Sequence, residues 1–229
     1  MSLLPGVVFD LDGVIVMSEH LWERAWVEYS EKYESPWSEL DTQACQGKSV
    51  TEWATYLGER TSSDPADVKS AVVGSVLAAY VRGEVELIDG SLDMVADISA
   101  MVTVGLASSA PRAVIDQVMG TMGLGRYFQA TVSSAEVARG KPSPDVYIEA
   151  VLRLGIEPHI SYGVEDSSNG VRAASSAGLT VIAIEHEQFP ISDDARILAD
   201  CVYRNIPDVH TRLVSLLNEQ RLNSRPGLE

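Results

Sequence analysis

The chain has 229 residues, of which 45% are hydrophobic, and a formal net charge of −16 at pH 7. This length and composition suit one large domain, or one domain with an insert, around a full hydrophobic core. The negative charge disfavours nucleic acid and anionic membranes as partners, because both repel an acidic protein. The sequence contains no run of about 18 apolar residues, the length that a membrane span needs.

The cysteines and the two ends of the sequence carry further expectations. Cys45 and Cys201 fit neither a metal-binding spacing nor a disulfide framework, which is typical of a reducing compartment. The first residues lack the charged and apolar regions of a secretory signal, so the cytoplasm is the expected location. Residues 222–229 are polar, contain Pro-Gly and are expected to form a flexible tail. The sequence does not determine the oligomeric state, and a monomer is favoured.

The first predicted element is a strand that ends in acids. Residues 7–14 begin with an apolar run and continue into Asp10, Asp12 and a glycine. Such a run predicts a strand covered on both faces, and ligands of open α/β sheets bind at the carboxyl ends of strands. The two carboxylates indicate either a site for a hard cation such as Mg²⁺ or a nucleophile with an acid–base partner. An Asx turn that closes the strand is the alternative.

The next segment, residues 18–82, is predicted to contain helices only. In the first helix, four aromatic residues from Trp22 to Tyr33 recur with the spacing of one helix face. A second helix is predicted over 49–57. A third begins after Asp64, which is a suitable N-cap because a proline follows it at the first helical position.

From residue 89 onward, predicted strands and helices alternate, which indicates a parallel sheet with helices on both faces. The first strand belongs to this region, so the predicted fold class is α/β, a doubly wound parallel sheet with an inserted α-helical domain. The predicted boundaries are 1–16 and 88–221 for the sheet domain and 17–87 for the insert. The predicted strands are 102–107, 130–133, 161–164, 180–184 and 201–203, and the predicted helices are 112–122, 145–154, 170–177 and 209–217.

Two more candidate groups follow predicted strands. Ser108 and Ser109 end the strand at 102–107, where hydroxyl and backbone N–H groups can bind an anion; a serine N-cap for the next helix is the alternative. Lys141 lies between Gly140 and Pro142 in a loop stiffened by a second proline. A cation on such a loop suits the neutralisation of carboxylate and phosphate groups, and a solvated lysine is the alternative.

The last candidate group is Glu165 and Asp166, directly after the predicted strand 161–164. Acids at a helix N-terminus are favoured by ~0.3–1 kcal/mol, which accounts for Asp166 but explains less well why two acids end an apolar strand. All four groups fall at carboxyl ends of strands, and in a parallel sheet these ends share one edge. The sequence therefore predicts a single site at that edge.

These motifs resemble those of the haloacid dehalogenase superfamily, in its subgroup with a helical cap inserted after the first strand. The resemblance covers about residues 5–205 and rests on four motifs in the family's order, with segments 9–14, 140–142 and 165–170 as the most specific. It implies a Rossmann-like core with the helical cap at 17–87. Within the superfamily, the chain is most similar to β-phosphoglucomutase-like phosphatases.

The resemblance implies phosphoryl transfer. Asp10 would attack phosphorus and form an aspartyl-phosphate, while Asp12 would protonate the leaving oxygen and then deprotonate a water. Ser108 would bind the phosphoryl oxygens, and Lys141 would tie them to Asp10. The branch of the superfamily that cleaves carbon–halogen bonds lacks an acid at the position of Asp12, so the resemblance favours phosphoryl transfer.

The resemblance also implies a metal cofactor, Mg²⁺. Its ligands would be the Asp10 carboxylate, the Asp12 backbone carbonyl and Asp166, and Glu165 would be either a further ligand or a residue behind the ligands. The implied substrate is a small phosphorylated metabolite. Candidate substrate-binding residues are Ser109 beside the serine motif, the cap turn Gly47, Lys48 and Ser49, and the two basic residues Arg112 and His20.

Three functions remain open at this stage. The favoured one is a Mg²⁺-dependent phosphatase of sugar or polyol phosphates. A β-phosphoglucomutase-type mutase is the alternative, although that enzyme carries a cap arginine where this chain has Val50 and a cap histidine where it has Trp22. Lys48, Arg112 or His20 would have to replace those contacts. A module that binds Mg²⁺ or phosphate without turnover is the third.

Overall fold

The structure is a computed structural model that describes residues 4–46, 48–187 and 189–223. A six-stranded sheet lies at its centre, and all its neighbouring strands are parallel. In chain order the strands are β1 (Gly6–Phe9), β2 (Val16–Met17), β3 (Glu86–Leu87), β4 (Thr103–Ser108), β5 (Ala130–Ser133), β6 (Tyr162–Glu165), β7 (Thr180–Ile184) and β8 (Cys201–Tyr203). The order across the sheet is β5-β4-β1-β6-β7-β8, and β2 and β3 pair separately as an antiparallel ribbon.

Four helices lie between β2 and β3, and the other helices alternate with strands of the sheet. Together with the parallel pairing, this arrangement confirms the predicted α/β class. The helices are α1 (Glu19–Lys32), α2 (Glu39–Cys45), α3 (Val50–Thr61), α4 (Pro65–Val81), α5 (Ser91–Met101), α6 (Arg112–Thr121), α7 (Asp145–Leu154), α8 (Ser168–Ser176), α9 (Asp193–Arg196) and α10 (Ile206–Asn223). Within the described residues, no helix has the length and apolarity that crossing a membrane requires.

The continuous apolar run of β1 follows from its position in the middle of the sheet. Val7 and Phe9 face one side and pack in a cluster with α5, α6 and α10, whereas Val8 faces the other side and packs with α7 and α8. All three side chains are fully buried. A strand covered on both faces needs apolar residues at every position, which is the pattern that the sequence shows.

The helical segment begins and ends at the short ribbon of β2 and β3, which brings residues 16–17 and 86–87 together. Inside the segment, Asp64 accepts a hydrogen bond from the backbone of Ala66 and caps α4, as its position before Pro65 predicts. The division of the chain into a core and a helical cap at this ribbon remains a prediction.

The structure differs from the predicted elements in several places. Helix α2 and helix α5 were not predicted, and the ribbon strands have two residues each, too few to give a periodic signal. The predicted helix over 209–217 is longer, because α10 continues to Asn223. The predicted tail therefore starts too early, and residues 224–229 lie outside the described residues.

Candidate active site

Three neighbouring strands deliver the predicted site residues to one place. Asp10 follows β1 directly, Ser108 is the last residue of β4, and Glu165 is the last residue of β6. Because β1 pairs with both β4 and β6, their carboxyl ends are adjacent. The Asp10 amide still donates to the carbonyl of Val164 at 3.0 Å, so the ladder holds the chain up to this residue.

Lys141 is the centre of the site. Its side chain is only 3% exposed, and its Nζ lies 2.6 Å from Asp10 Oδ1 and 2.5 Å from Glu165 Oε1. Burial lowers the pKa of Lys141, but the two carboxylates outweigh this effect and hold the pKa above its usual value. Lys141 is therefore charged and fixed between two acids, and it is not a solvated loop lysine.

The carboxylates of the site outnumber this lysine. Asp10, Glu165 and Asp166 are all buried, and each offers a carboxylate oxygen within 4.8 Å of the others. Burial raises the pKa of Asp10 to about 8, against the attraction of Lys141. Burial and the neighbouring Glu165 raise the pKa of Asp166 well above its usual value. Oxygen ligands and uncompensated negative charge fit a hard divalent cation.

Hydrogen-bond donors of the protein occupy both carboxylate oxygens of Glu165. Its Oε1 accepts hydrogen bonds from Lys141 and from the Tyr147 hydroxyl, at 2.5 and 2.8 Å. Its Oε2 accepts from the Asp166 amide at 3.1 Å and from the amide and hydroxyl of Ser167 at 3.3 and 3.1 Å. A carboxylate has about four acceptor positions. Glu165 is therefore used to hold Lys141, which leaves Asp10 and Asp166 for a metal.

A glycine in α8 makes room for this carboxylate. A Cβ built on Gly170 would overlap the carboxyl group of Glu165. We expect Gly170→Ala to displace Glu165, to lower the free energy of unfolding by about 1–3 kcal/mol, as is typical of overpacking, and to reduce turnover. Gly74→Ala is the matched control, because a Cβ there has no neighbour within 4 Å and alanine stabilises a helix by about 1 kcal/mol over glycine.

Chemical denaturation of both variants checks this prediction. A Gly170→Ala protein as stable and as active as the wild type would contradict the tight fit around Glu165. The glycine control separates this steric effect from the ordinary effect of alanine on a helix.

Asp12 lies between the sheet and the first helix of the helical segment. Burial raises the pKa of Asp12, and hydrogen bonds from the side chains of Ser18 and Trp22 oppose this shift. Ser18 precedes α1, and Trp22 is in its first turns. The carboxyl group is thus held by residues of the helical segment, whereas Asp10 is held by the sheet domain.

The serine motif has a structural role that is visible in the described residues. Ser108 is fully buried, and its Oγ accepts a hydrogen bond from the Ala110 amide at 3.0 Å. The turn is held further by Ser133, whose hydroxyl donates to the Ala110 carbonyl at 2.6 Å. Ser109 lines the cavity described below. Anion binding by these two serines remains a prediction.

A cavity of about 510 Å³ opens above the carboxylates, between the sheet edge and the helical segment. This volume is in the range of small-molecule sites. The acids Asp10, Asp12 and Asp166 lie on the sheet side, whereas the three tryptophans of the lining come from the helical segment. The lining residues outside the helical segment are Asp10, Asp12, Ser109, Ala110, Lys141, Asp166, Ser167, Ser168, Asn169, Phe189 and Pro190, and those within it are Glu19, Trp22, Trp26, Gln43, Cys45, Gln46, Lys48, Val50 and Trp53.

The structure brings only some of the predicted substrate-binding residues to this cavity. Lys48 and Ser109 line it. Ser49 instead caps α3 by a reciprocal contact with Glu52, and Gly47 lies outside the described residues.

The two predicted basic residues outside the cap turn do not line this cavity. Arg112 donates to Glu136 and Asp116 on the outer side of α6, and it does not line the cavity. His20 is exposed and also lies outside the cavity lining. An acidic protein offers many surface carboxylates. The guanidinium of Arg112 binds two of these carboxylates and is therefore directed away from the cavity.

Four side chains at the site were not predicted. Tyr147 contacts Glu165, and Trp22 contacts Asp12, as described above. Glu19 lines the cavity and accepts a hydrogen bond from Gln46 Nε2 at 2.9 Å, and burial raises its pKa to about 7. His186 Nε2 lies 2.8 Å from the Gly13 carbonyl and 3.7 Å from the Asp166 carboxylate. Their signal in the sequence is only an aromatic or polar residue close to a motif.

Comparisons with known proteins agree with this geometry. A model of haloacid dehalogenase-like hydrolases matches residues 7–184. A validoxylamine A 7'-phosphate phosphatase from Streptomyces hygroscopicus subsp. limoneus is 25% identical, over 84% of this chain and 89% of that protein. Hexitol phosphatase B from Escherichia coli K12 is 28% identical, over 85% and 89% of the two chains.

Solved structures share the same fold. CbbY from Rhodobacter sphaeroides, crystallised in complex with phosphate, superimposes with a TM-score of 0.78 at 24% identity. The superposition covers 90% of this chain and 96% of that one. The family model spans most of the sequence and all four motifs, so the chain belongs to the haloacid dehalogenase-like hydrolases.

Proposed function

We propose that this chain is a phosphatase of small phosphorylated carbohydrates and that it forms a covalent aspartyl-phosphate, an acyl phosphate, on Asp10. The observation that carries the proposal is the buried contact of Lys141 with one oxygen of Asp10, at the floor of a cavity that Asp12 also lines. A lysine that fixes one carboxylate oxygen orients the other for attack. The names of the two relatives above, a validoxylamine 7'-phosphate phosphatase and a hexitol phosphatase, support this substrate class.

The residues divide the reaction into two displacements. In the first, Asp10 attacks phosphorus, the bond from phosphorus to the leaving oxygen breaks, and Asp12 gives its proton to that oxygen. In the second, Asp12 takes a proton from water, the resulting hydroxide attacks phosphorus, and Asp10 and inorganic phosphate are released. Because burial raises the pKa of Asp12, a proton on this group is available for the first step.

We further propose Mg²⁺ as the cofactor. The carboxylates of Asp10 and Asp166 would hold it, together with the Asp12 backbone carbonyl that the family resemblance implies. When bound, such a cation neutralises charge on the transferred phosphoryl group. Lys141 adds a second, fixed positive charge next to Asp10, and Ser109 lines the same cavity.

The positions of the basic residues that would bind a second phosphate argue against the mutase alternative. A mutase has to bind a second phosphate at the far end of the cavity. Arg112 and His20 do not reach the cavity, and Val50 and Trp22 line it where the mutase carries basic groups. Lys48 is the remaining candidate, so hydrolysis is the favoured reaction.

The test is release of inorganic phosphate from a panel of sugar, polyol and nucleotide monophosphates. We expect release from sugar or polyol phosphates with Mg²⁺, loss of activity in EDTA, and recovery when Mg²⁺ is added in excess. A parallel assay follows conversion of β-glucose 1-phosphate to glucose 6-phosphate in the presence of the 1,6-bisphosphate.

Other outcomes of these assays would contradict the metal or support a different function. Release that EDTA leaves unchanged contradicts the metal, and isomer formation with little net release identifies a mutase. A protein that binds Mg²⁺ and phosphate but hydrolyses no member of the panel is a binding module.

A further inference from the structure

The cavity above the catalytic carboxylates carries more negative than positive side chains. Among the described residues that line it, the bases are Lys48 and Lys141. Lys141 is already in contact with Asp10 and Glu165, so its charge is balanced within the protein. The acids that line the cavity are Asp10, Asp12, Glu19 and Asp166.

Glu19 stands apart from the other three acids, because the proposed reaction does not use it. It is the first residue of α1, and its carboxylate is held from one side by Gln46 Nε2, at 2.9 Å from Oε2. Among the residues that the structure describes, no hydrogen-bond donor contacts its other oxygen. A carboxylate fixed in this way on a cavity wall accepts hydrogen bonds from hydroxyl groups and repels anions.

Part of the wall on that side is apolar, and the polar residues Gln43, Gln46 and Lys48 line the cavity from the same helical segment. Trp22 and Trp53 lie with their ring centroids 6.1 Å apart, and Trp26 lies 6.2 Å from Trp53. All three line the cavity, together with Val50. This apolar part of the wall accepts C–H groups of a substrate, and it offers a second phosphate or a carboxylate no compensation for the loss of water.

From these two features we propose, building on the phosphatase function above, that the enzyme selects phosphomonoesters whose remainder is uncharged and polyhydroxylated. Glu19 is the residue that enforces the selection. It binds a hydroxyl group of the substrate and rejects a second phosphate or a carboxylate at the same place. The C–H groups of the same sugar or polyol lie on the tryptophan wall.

Matched substrates test this selection directly. D-Glucitol 6-phosphate and 6-phosphogluconate have the same number of carbons, but the second ends in a carboxylate; glucose 6-phosphate and glucose 1,6-bisphosphate differ by one phosphate. With the wild type at pH 8 in Mg²⁺, we expect kcat/KM for the neutral member to exceed that of the anionic member by about 100-fold in each pair, which corresponds to two tenfold steps in transition-state binding.

Glu19→Gln tests the residue. The amide keeps the shape of the side chain but removes its charge, so we expect the ratio within each pair to fall by about tenfold, through loss of activity on the neutral member and gain on the anionic one. Glu59→Gln is the control, because Glu59 is an exposed acid in α3 outside the cavity. We expect Glu59→Gln to show the same kcat/KM ratios as the wild type in both substrate pairs.

The outcomes separate this inference from the proposed function. Equal kcat/KM within the pairs, or a preference for the anionic members, overturns the selection while the phosphatase stands. Wild-type ratios in Glu19→Gln overturn the role of Glu19. If Glu19→Gln does not fold, the wild-type ratios still decide the selection. Lys48→Gln supplies a second variant, which should widen the ratios, because Lys48 is the base among the described lining residues that is not paired with Asp10 and Glu165. Unchanged or narrower ratios in Lys48→Gln would contradict the charge argument.

If no variant releases phosphate from any substrate, the phosphatase proposal itself has failed.

Discussion

Asp10→Asn is expected to lower kcat for phosphate release by about 10⁴-fold or more, the scale on which enzymes lose activity with their nucleophile. An amide oxygen is a weak nucleophile and forms no acyl phosphate. The buried contact of Asp10 with Lys141 makes this residue the candidate nucleophile, because one oxygen is fixed and the residue lines the cavity. The measurement is single-turnover phosphate release with Mg²⁺ present.

A second readout identifies the covalent step itself. Wild-type protein quenched in acid during turnover should carry one phosphoryl group by mass spectrometry, and the Asp10→Asn protein should carry none. Asp93→Asn is the control, since Asp93 is exposed in α5 and far in sequence from every motif. Mg²⁺-dependent release of phosphate that persists in Asp10→Asn would contradict the proposed mechanism.

The fold of the Asp10→Asn variant is expected to survive, and its stability should depend on pH in a defined direction. Burial raises the pKa of Asp10 to about 8 in the folded protein, against an ordinary value near 3.8. The folded state therefore holds this proton more tightly than the unfolded state, and the wild type loses stability as the pH rises from about 4 to about 8. Asparagine carries no such proton. Without Mg²⁺, the stability of the variant relative to the wild type should increase over this range.

The meeting of the four motifs at one place could be predicted, because it depends only on strand order and polarity. Asp10, Ser108 and Glu165 each end an apolar strand of a parallel sheet, so their positions follow once the strands are recognised. The alternation of strands and helices after residue 89 was sufficient for the fold class.

The contacts around those motifs could not be predicted, because they depend on side-chain directions. Tyr147 lies on α7, and only the packing of this helix on the sheet brings its hydroxyl to Glu165. In the other direction, Arg112 follows the serine motif closely in sequence, yet its guanidinium contacts Glu136 instead of the cavity. Nearness in sequence to a motif did not determine either contact.

The residues that form the substrate-selecting wall of the cavity could not be predicted from the sequence either. The wall formed by Trp22, Trp26 and Trp53 joins residues from α1 and α3, whose mutual packing has no periodic signal. The spacing of the aromatic residues in α1 predicted that Trp22 and Trp26 lie on one helix face. It did not indicate that one face of the cluster borders the cavity, or that Glu19 and Gln46 lie beside it.

Lys141→Met is expected to affect both activity and stability, since the lysine serves the reaction and the fold together. Loss of one fixed positive group near a developing charge typically lowers kcat by about 10²–10³-fold. Loss of one partner of a buried ion pair typically lowers the free energy of unfolding by about 3–5 kcal/mol. Here the uncompensated groups are Asp10 and Glu165, both buried. Lys69→Met, an exposed lysine in α4, is the control.

The two effects of Lys141→Met can be separated by a second substitution. Lys141→Met with Glu165→Gln removes the ion pair as a unit, so we expect most of the stability to return while kcat remains low. Stability of the single variant should also be regained as the pH falls to about 8 and below, because burial raises the pKa of Asp10 to about 8 even with Lys141 present, and a protonated Asp10 no longer repels Glu165. Recovery of both stability and kcat in the double variant would show that Lys141 only balances Glu165. Recovery of stability alone would mean that its contact with Asp10 contributes directly to turnover.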